Sequence, residues 1–201
     1  EEDMRIFPDE ILLHPNRSRI DLFTNRILKD LSLSKKMIDT AAYADFGNLR
    51  LGILRNEYVF LLKAVAGREG DIQDMEALVR APTKTQTMYQ QDTFDWNLVW
   101  QEILMQEHMN HLRNFTTVIF EQIDMFSQQT KIIPPFYDNL RRHTVSLLIL
   151  QILHGSKKPL KEIVSLLKGH DVTEQMIRNR IYSLVTDKKV TKQNIGNQVF
   201  V

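Results

Sequence analysis

Between Phe94 and Ser127 the apolar residues Trp96, Val99, Trp100, Ile103 and Leu104, then Leu112, Phe115, Ile119, Phe120 and Ile123, recur at three- and four-residue spacing. Only a helical backbone gathers such positions onto one face, so the stretch predicts one long helix or two with a broad apolar stripe. That stripe has to be covered, which commits much of the chain to helix packing. The 201 residues suit one large domain or two small ones. With 43% hydrophobic and 25% charged residues, wholesale disorder is excluded. The absence of Cys removes disulfides, thiolate nucleophiles and zinc–thiolate sites, and suits a cytoplasmic protein. The longest greasy run, Val145 to Leu153, is broken by Ser146 and Gln151 and falls short of the roughly 18 residues a membrane span needs, so no membrane partner is expected. Glu1-Glu2-Asp3-Met4 is too acidic for a secretory signal, and without an initiating Met the chain is expected to be a piece of something longer.

Strand signals fall in the first third of the sequence and at its C-terminal end. In Ser18 to Thr24, Ile20, Leu22 and Phe23 flank Asp21, as in a mostly buried strand presenting one carboxylate. Leu49, Leu51 and Ile53 alternate in a second strand. Asn56 reads as the N-cap of an apolar helix from Glu57 to Ala66 that stops at Gly67. A short helix follows, with Asp71 as its cap, Asp74 in its first turn and Pro82 at its end. Residues 81–92 are polar and aperiodic, and predict a linker or exposed loop.

Beyond Pro134-Pro135 the signals become dense. One helix ends near Leu153 with Gly155 as its stop, a second opens at Pro159 and closes at Gly169, and a third opens at Thr173. Val190 to Gln193 and Gln198 to Val201, with a turn at residues 194–197, predict a hairpin. Three helices and a hairpin in this order resemble the winged helix-turn-helix family over Phe136 to Val201. The resemblance implies a third helix that enters the DNA major groove and a wing that touches the flanking backbone. Burying Ile177, Ile181, Leu184 and Val185 leaves Gln175, Arg178, Asn179 and Tyr182 on the opposite face. Arg, Asn and Gln are the residue types that pair bidentately with purine edges, while Lys188, Lys189 and Lys192 at the base of the wing suit phosphates.

Charge distribution points the same way. Lys131 to Val201 carries 12 Lys+Arg against 5 Asp+Glu, a net of +7; the other 130 residues carry 14 against 20, a net of −6. The overall +1 therefore conceals a basic module on an acidic body, as nucleic-acid binding favours. Winged helices also serve as dimerisation or protein-docking modules, and Lys-rich faces are often merely solvated.

Arg19 to Thr24, followed by the run from Glu57 to Asp74, is similar to prokaryotic nucleotidyltransferase-fold proteins of the polymerase-beta-like superfamily, including the minimal and abortive-infection antitoxin-type branches. The likeness spans about Glu10 to Val79. It implies that Asp21 is the third metal-binding carboxylate, that Lys63 reaches the nucleotide phosphates, and that Arg68, Asp71 and Asp74 close the rear of the site. Family members also bring an Asp-x-Asp or Asp-x-Glu pair after a Gly-Ser turn, and no such pair precedes Asp21. Phosphoryl transfer in that fold needs all three acids to hold Mg2+ against a nucleoside triphosphate, so this chain is expected to be inactive as it stands. Read without the resemblance, Asp21 is an exposed strand acid, Lys63 a snorkelling lysine and the remaining three a surface ion pair with helix caps.

His108 and His111 lack a Glu-x-x-His or His-Glu-x-x-His pattern, and Gly67-Arg68-Glu69-Gly70 is too short to cradle phosphates. The expected architecture is α+β and predominantly helical: a partial nucleotidyltransferase-like portion (residues 1–82), a helical middle segment (83–130) and a winged helix (131–201). The expected role is a DNA-binding regulator or antitoxin-like factor, homodimeric through the middle segment. Two alternatives stand beside it: the C-terminal part of a metal-dependent nucleotidyltransferase acting on nucleic acid or protein, and a protein-interaction scaffold.

Overall fold

The computed structural model describes residues 5–6, 11–13, 19–21, 26–27, 31–81, 93–110, 115–168, 172–195 and 198–201. Helices predominate among them, with small antiparallel sheets, in two compact units: residues 1–115 and 116–201.

In the first unit β1 (Arg5–Ile6), β2 (Ile11–Leu13) and β3 (Arg19–Asp21) form a three-stranded sheet in that order, and β4 (Arg26–Ile27) pairs with β5 (Leu31–Ser32). Helix α1 (Lys35–Asp39) is capped by Ser34, whose hydroxyl accepts the Met37 N–H. A hairpin follows, β6 (Ala42–Phe46) with β7 (Leu49–Ile53), in the register Ala42↔Ile53, Ala44↔Leu51, Asp45↔Arg50. This register gathers Ala42, Ala44, Phe46, Leu51 and Ile53 on one face and Tyr43, Asp45, Arg50 and Gly52 on the other. On the polar face the Arg50 guanidinium lies 4.4 Å from the centre of the Tyr43 ring. The missing Cβ of Gly52 makes room for that ring, since it would stand 3.0 Å from Tyr43 Cε1.

Helices α2 (Asn56–Ala66) and α3 (Asp71–Arg80) form a helical hairpin against which α4 (Trp96–Asn110) packs. Tyr58, Phe60, Leu61, Ala64, Met75, Val99 and Ile103 are fully buried between them, and Phe60 meets Trp96 edge-on at 5.4 Å. Gly67 ends α2 at φ 57° as expected. The expected caps shift by one residue. Asn56 is the first residue of α2, with Arg55 before it, and Gly70, at φ 93°, precedes α3 where Asp71 was expected to cap. The left-handed backbone at that corner favours glycine over a side chain with a Cβ.

A buried polar network joins β5, α1 and α4. Glu102, 1% exposed, accepts from Ser34 Oγ at 3.2 Å and from Gln106 Nε2 at 2.8 Å. Gln106 also accepts the Ser32 N–H at 3.1 Å and donates to the Ser32 carbonyl at 2.7 Å. Its amide thereby bonds β5 as a neighbouring strand would.

The periodic stretch of the sequence forms two helices, α4 and α5 (Phe115–Thr130), with residues 111–114 outside the described set. The boundary between units falls at the start of α5, so the stretch expected as a middle segment contributes to both. In the second unit α5 buries Ile119, Ile123 and Phe126, and Lys131 follows it at φ 62°. Helices α6 (Tyr137–Ile152), α7 (Leu160–Leu167) and α8 (Glu174–Thr186) then enclose a core of Val145, Ile149, Ile163, Leu167, Ile177, Ile181 and Leu184.

The closing hairpin, β8 (Gln193–Ile195) and β9 (Gln198–Phe200), pairs Gln193↔Phe200 and Ile195↔Gln198. Asn194 and Ile195, expected in the turn, therefore belong to the strand. Lys158 exchanges two backbone bonds with Val201, 3.2 and 3.1 Å, and Pro159 bridges to Phe200, so the segment leading into α7 runs antiparallel beside β9. Val201 is buried in the helical core, which ties the hairpin to the three helices.

Candidate nucleic-acid interface

Thr173 starts α8 as the sequence predicts, its hydroxyl accepting the Met176 N–H at 3.2 Å. The helix then divides by its own period. Ile177, Ile181 and Leu184 face the core, while Gln175, Arg178, Asn179 and Tyr182 are exposed at spacings of three and four. Tyr182 is 75% exposed, an unusual surplus for so large a ring. Gln175 Nε2 donates to Asn179 Oδ1 at 2.8 Å, which orients both amides along the face. Arg178 bonds Glu174 Oε1 through Nε at 2.8 Å and Nη2 at 2.5 Å. The guanidinium is thus presented one turn into the helix with its charge partly answered by a neighbouring acid.

Lys188 and Lys189 occupy the turn after α8, and Lys192 precedes β8; all three are exposed. Lys188 adopts φ 57°, and the N–H groups of Lys188 and Lys189 return to the carbonyls of Val185 and Leu184, which closes the helix and redirects the chain into the hairpin. Lys157 Nζ, 3.0 Å from Gln193 Oε1, links the segment before α7 to β8.

Sequence reasoning passed over Arg180. Its Nε and Nη2 donate to Ser146 Oγ at 2.8 and 2.6 Å, and Ser146 in turn donates to the Arg142 carbonyl at 2.9 Å. Ser146 is 6% exposed, so this contact pins α8 to α6 and fixes the rotation of the polar face. The helical phase carried the signal, because Arg180 falls on the flank between the buried stripe and the exposed one.

In the first unit Lys63, Arg68, Asp71 and Asp74 come together at the α2–α3 corner. Lys63 Nζ lies 3.0 Å from Asp71 Oδ1 and 2.6 Å from Asp74 Oδ2, while Asp71 Oδ2 accepts the Arg68 N–H at 2.7 Å. Asp71 is 4% exposed. The hydrogen bonds to Asp74 and then to Asp71 hold the Lys63 ammonium above the ordinary lysine pKa. An ammonium shared by two carboxylates fastens one helix to the next, and meeting a phosphate would require giving up those bonds. Asp21 lies in β3 opposite Ile11, and its side chain is outside the described set. Among the described residues no group of three or more His, Asp or Glu is arranged to hold a metal, and no helix is long and apolar enough to cross a membrane. No protein-family model, curated protein or solved structure matches this chain.

Proposed function

We propose that the chain is a DNA-binding regulator whose second unit reads duplex DNA as a winged helix. The observation that carries the reading is the division of α8: one stripe is locked into the core, and the opposite stripe offers Gln175, Arg178, Asn179 and Tyr182 to solvent. Those side chains suit purine edges in the major groove. The hairpin is tied to the helical core through Val201 and to the segment before α7 through the Lys158 pairing, and Lys188, Lys189 and Lys192, which lead into it, suit phosphates flanking an inserted helix. The net +7 of residues 131–201 supplies the long-range attraction.

Mobility shifts of the full chain on random and selected duplexes, run across a salt series, test the reading. Binding that weakens steeply with salt and favours a subset of sequences is expected. Absent or salt-independent binding overturns it.

A further inference from the structure

The second unit contains a cleft that the α8 face does not use. It has a volume of about 660 Å³ and lies between the end of α6, the turn after α8 and the end of β9. Leu150, Leu153 and Val190 contribute apolar surface. His154, Lys157, Lys188 and Lys189 line it beside the hydroxyl residues Ser156 and Thr191, and no Asp or Glu lines it among the described residues. Lys157 is bonded to the neutral amide of Gln193, and no carboxylate ion pair involves it among the described residues. No carboxylate ion pair involves Lys188 or Lys189 among the described residues, although acids elsewhere in the unit do pair, as Glu162 does with Lys158 and Glu174 with Arg178. Gln175, Arg178, Asn179 and Tyr182 are not part of the cleft.

We propose that this cleft binds a small organic phosphate of mononucleotide size. Three lysines lining one space suit a multiply charged anion with several acceptor oxygens, and lysine serves phosphate as a point charge. Inorganic phosphate alone would leave the apolar surface wet and most of the volume empty, since small-molecule sites of a few hundred Å3 and upward enclose a ligand body as well as its charge. A flat ring or short apolar body attached to the phosphate fills both needs. The cleft shares Lys188 and Lys189 with the DNA reading but takes none of its lining from the exposed stripe of α8.

Isothermal titration of the full chain with AMP, adenosine and inorganic phosphate at low ionic strength tests the proposal. Saturable binding of AMP is expected, with adenosine and inorganic phosphate each at least about tenfold weaker. The double variant Lys157→Gln/Lys189→Gln should weaken AMP by about tenfold or more, while Lys161→Gln on exposed α7 surface leaves it unchanged. Failure of AMP to saturate, equal binding by phosphate alone, or full affinity in the double variant each overturns the proposal. If the double variant instead loses duplex DNA while the parent chain never binds AMP, the lysines serve DNA, and the cleft proposal falls while the DNA reading stands.

Discussion

Arg178 is held by Glu174, one turn earlier on α8, with Nη2 and Oε1 2.5 Å apart and both side chains about half exposed. An exposed pair of this kind adds little to stability, and on the proposed DNA reading its effect falls on recognition. The acid keeps the guanidinium extended along the helix and opposes approach of a phosphate-rich surface. Glu174→Gln should tighten DNA binding several-fold with little change in melting temperature. Arg178→Ala should cost about 1–3 kcal/mol of discrimination at one base position, whereas Lys192→Ala should weaken all sequences evenly and lower the salt slope by about one. Competition binding against single-base operator variants separates the three outcomes.

At the α2–α3 corner, burial ranks the two acids that share Lys63. Asp71 is almost fully buried and also satisfies the Arg68 N–H, so Asp71→Ala leaves a donor and an ammonium short of a partner, at about 1–3 kcal/mol. The Asp74 side chain is 58% exposed, and Asp74→Ala should cost less than about 1 kcal/mol. Urea unfolding of the two variants checks the order; equal losses would place the fastening elsewhere.

Alkaline pH should destabilise both units. Lys63, stabilised as a cation by Asp74 and Asp71, has a raised pKa. Burial raises Tyr58 as well. Tyr137 is pushed from 10.0 up to about 12, by burial first and then by its hydrogen bond to Asp124. In each case the folded state holds its proton longer than the unfolded chain does. Their contribution is therefore complete below the ordinary values near pH 10 and is lost as pH rises through the raised ones. Melting temperature should be insensitive to these groups at neutral pH and should fall between about pH 10 and pH 12. Tyr137→Phe, which keeps the ring packed near Phe120, should flatten the decline in the second unit.

Lys131 ends α5 at φ 62°, a left-handed conformation that costs an L-residue about 1–2 kcal/mol. Its N–H already closes the helix on the Ser127 carbonyl at 3.1 Å. Lys131→Gly removes the strain at the expense of some chain entropy, so a net gain of up to about 1 kcal/mol is expected. Differential scanning calorimetry should show a rise of a few degrees; a fall would mean that the lysine side chain carries a compensating contact.

The C-terminal elements were the most legible part of the sequence because each has its own punctuation: Pro159 before α7, Thr173 before α8, and apolar positions at helical spacing within α8. The α2 helix was legible for the same reason, through Gly67. Strand β6 was not. Ala42-Tyr43-Ala44-Asp45-Phe46 alternates small residues with mixed ones, and alanine carries no strand preference, so its role emerges only from pairing with β7. Nor was the state of the Lys63 cluster, because spacing puts the four residues near one corner without saying whether the lysine faces outward or is consumed by Asp71 and Asp74. On α8 the exposed face followed from periodicity, while its fastening through Arg180 and Ser146 joins residues 34 positions apart and needs the fold.

The side-chain amide of Gln106 sits against Ser32 where another strand could have added. An open strand edge is a template for pairing with a second chain, and proteins usually blunt it with charge, proline or a bulge. Here both outward backbone groups of Ser32 are occupied by one buried glutamine from α4. The short β4–β5 ribbon is thereby closed to self-recruitment at that residue, and truncating Gln106 would expose a seed for aggregation as well as a hole in the core.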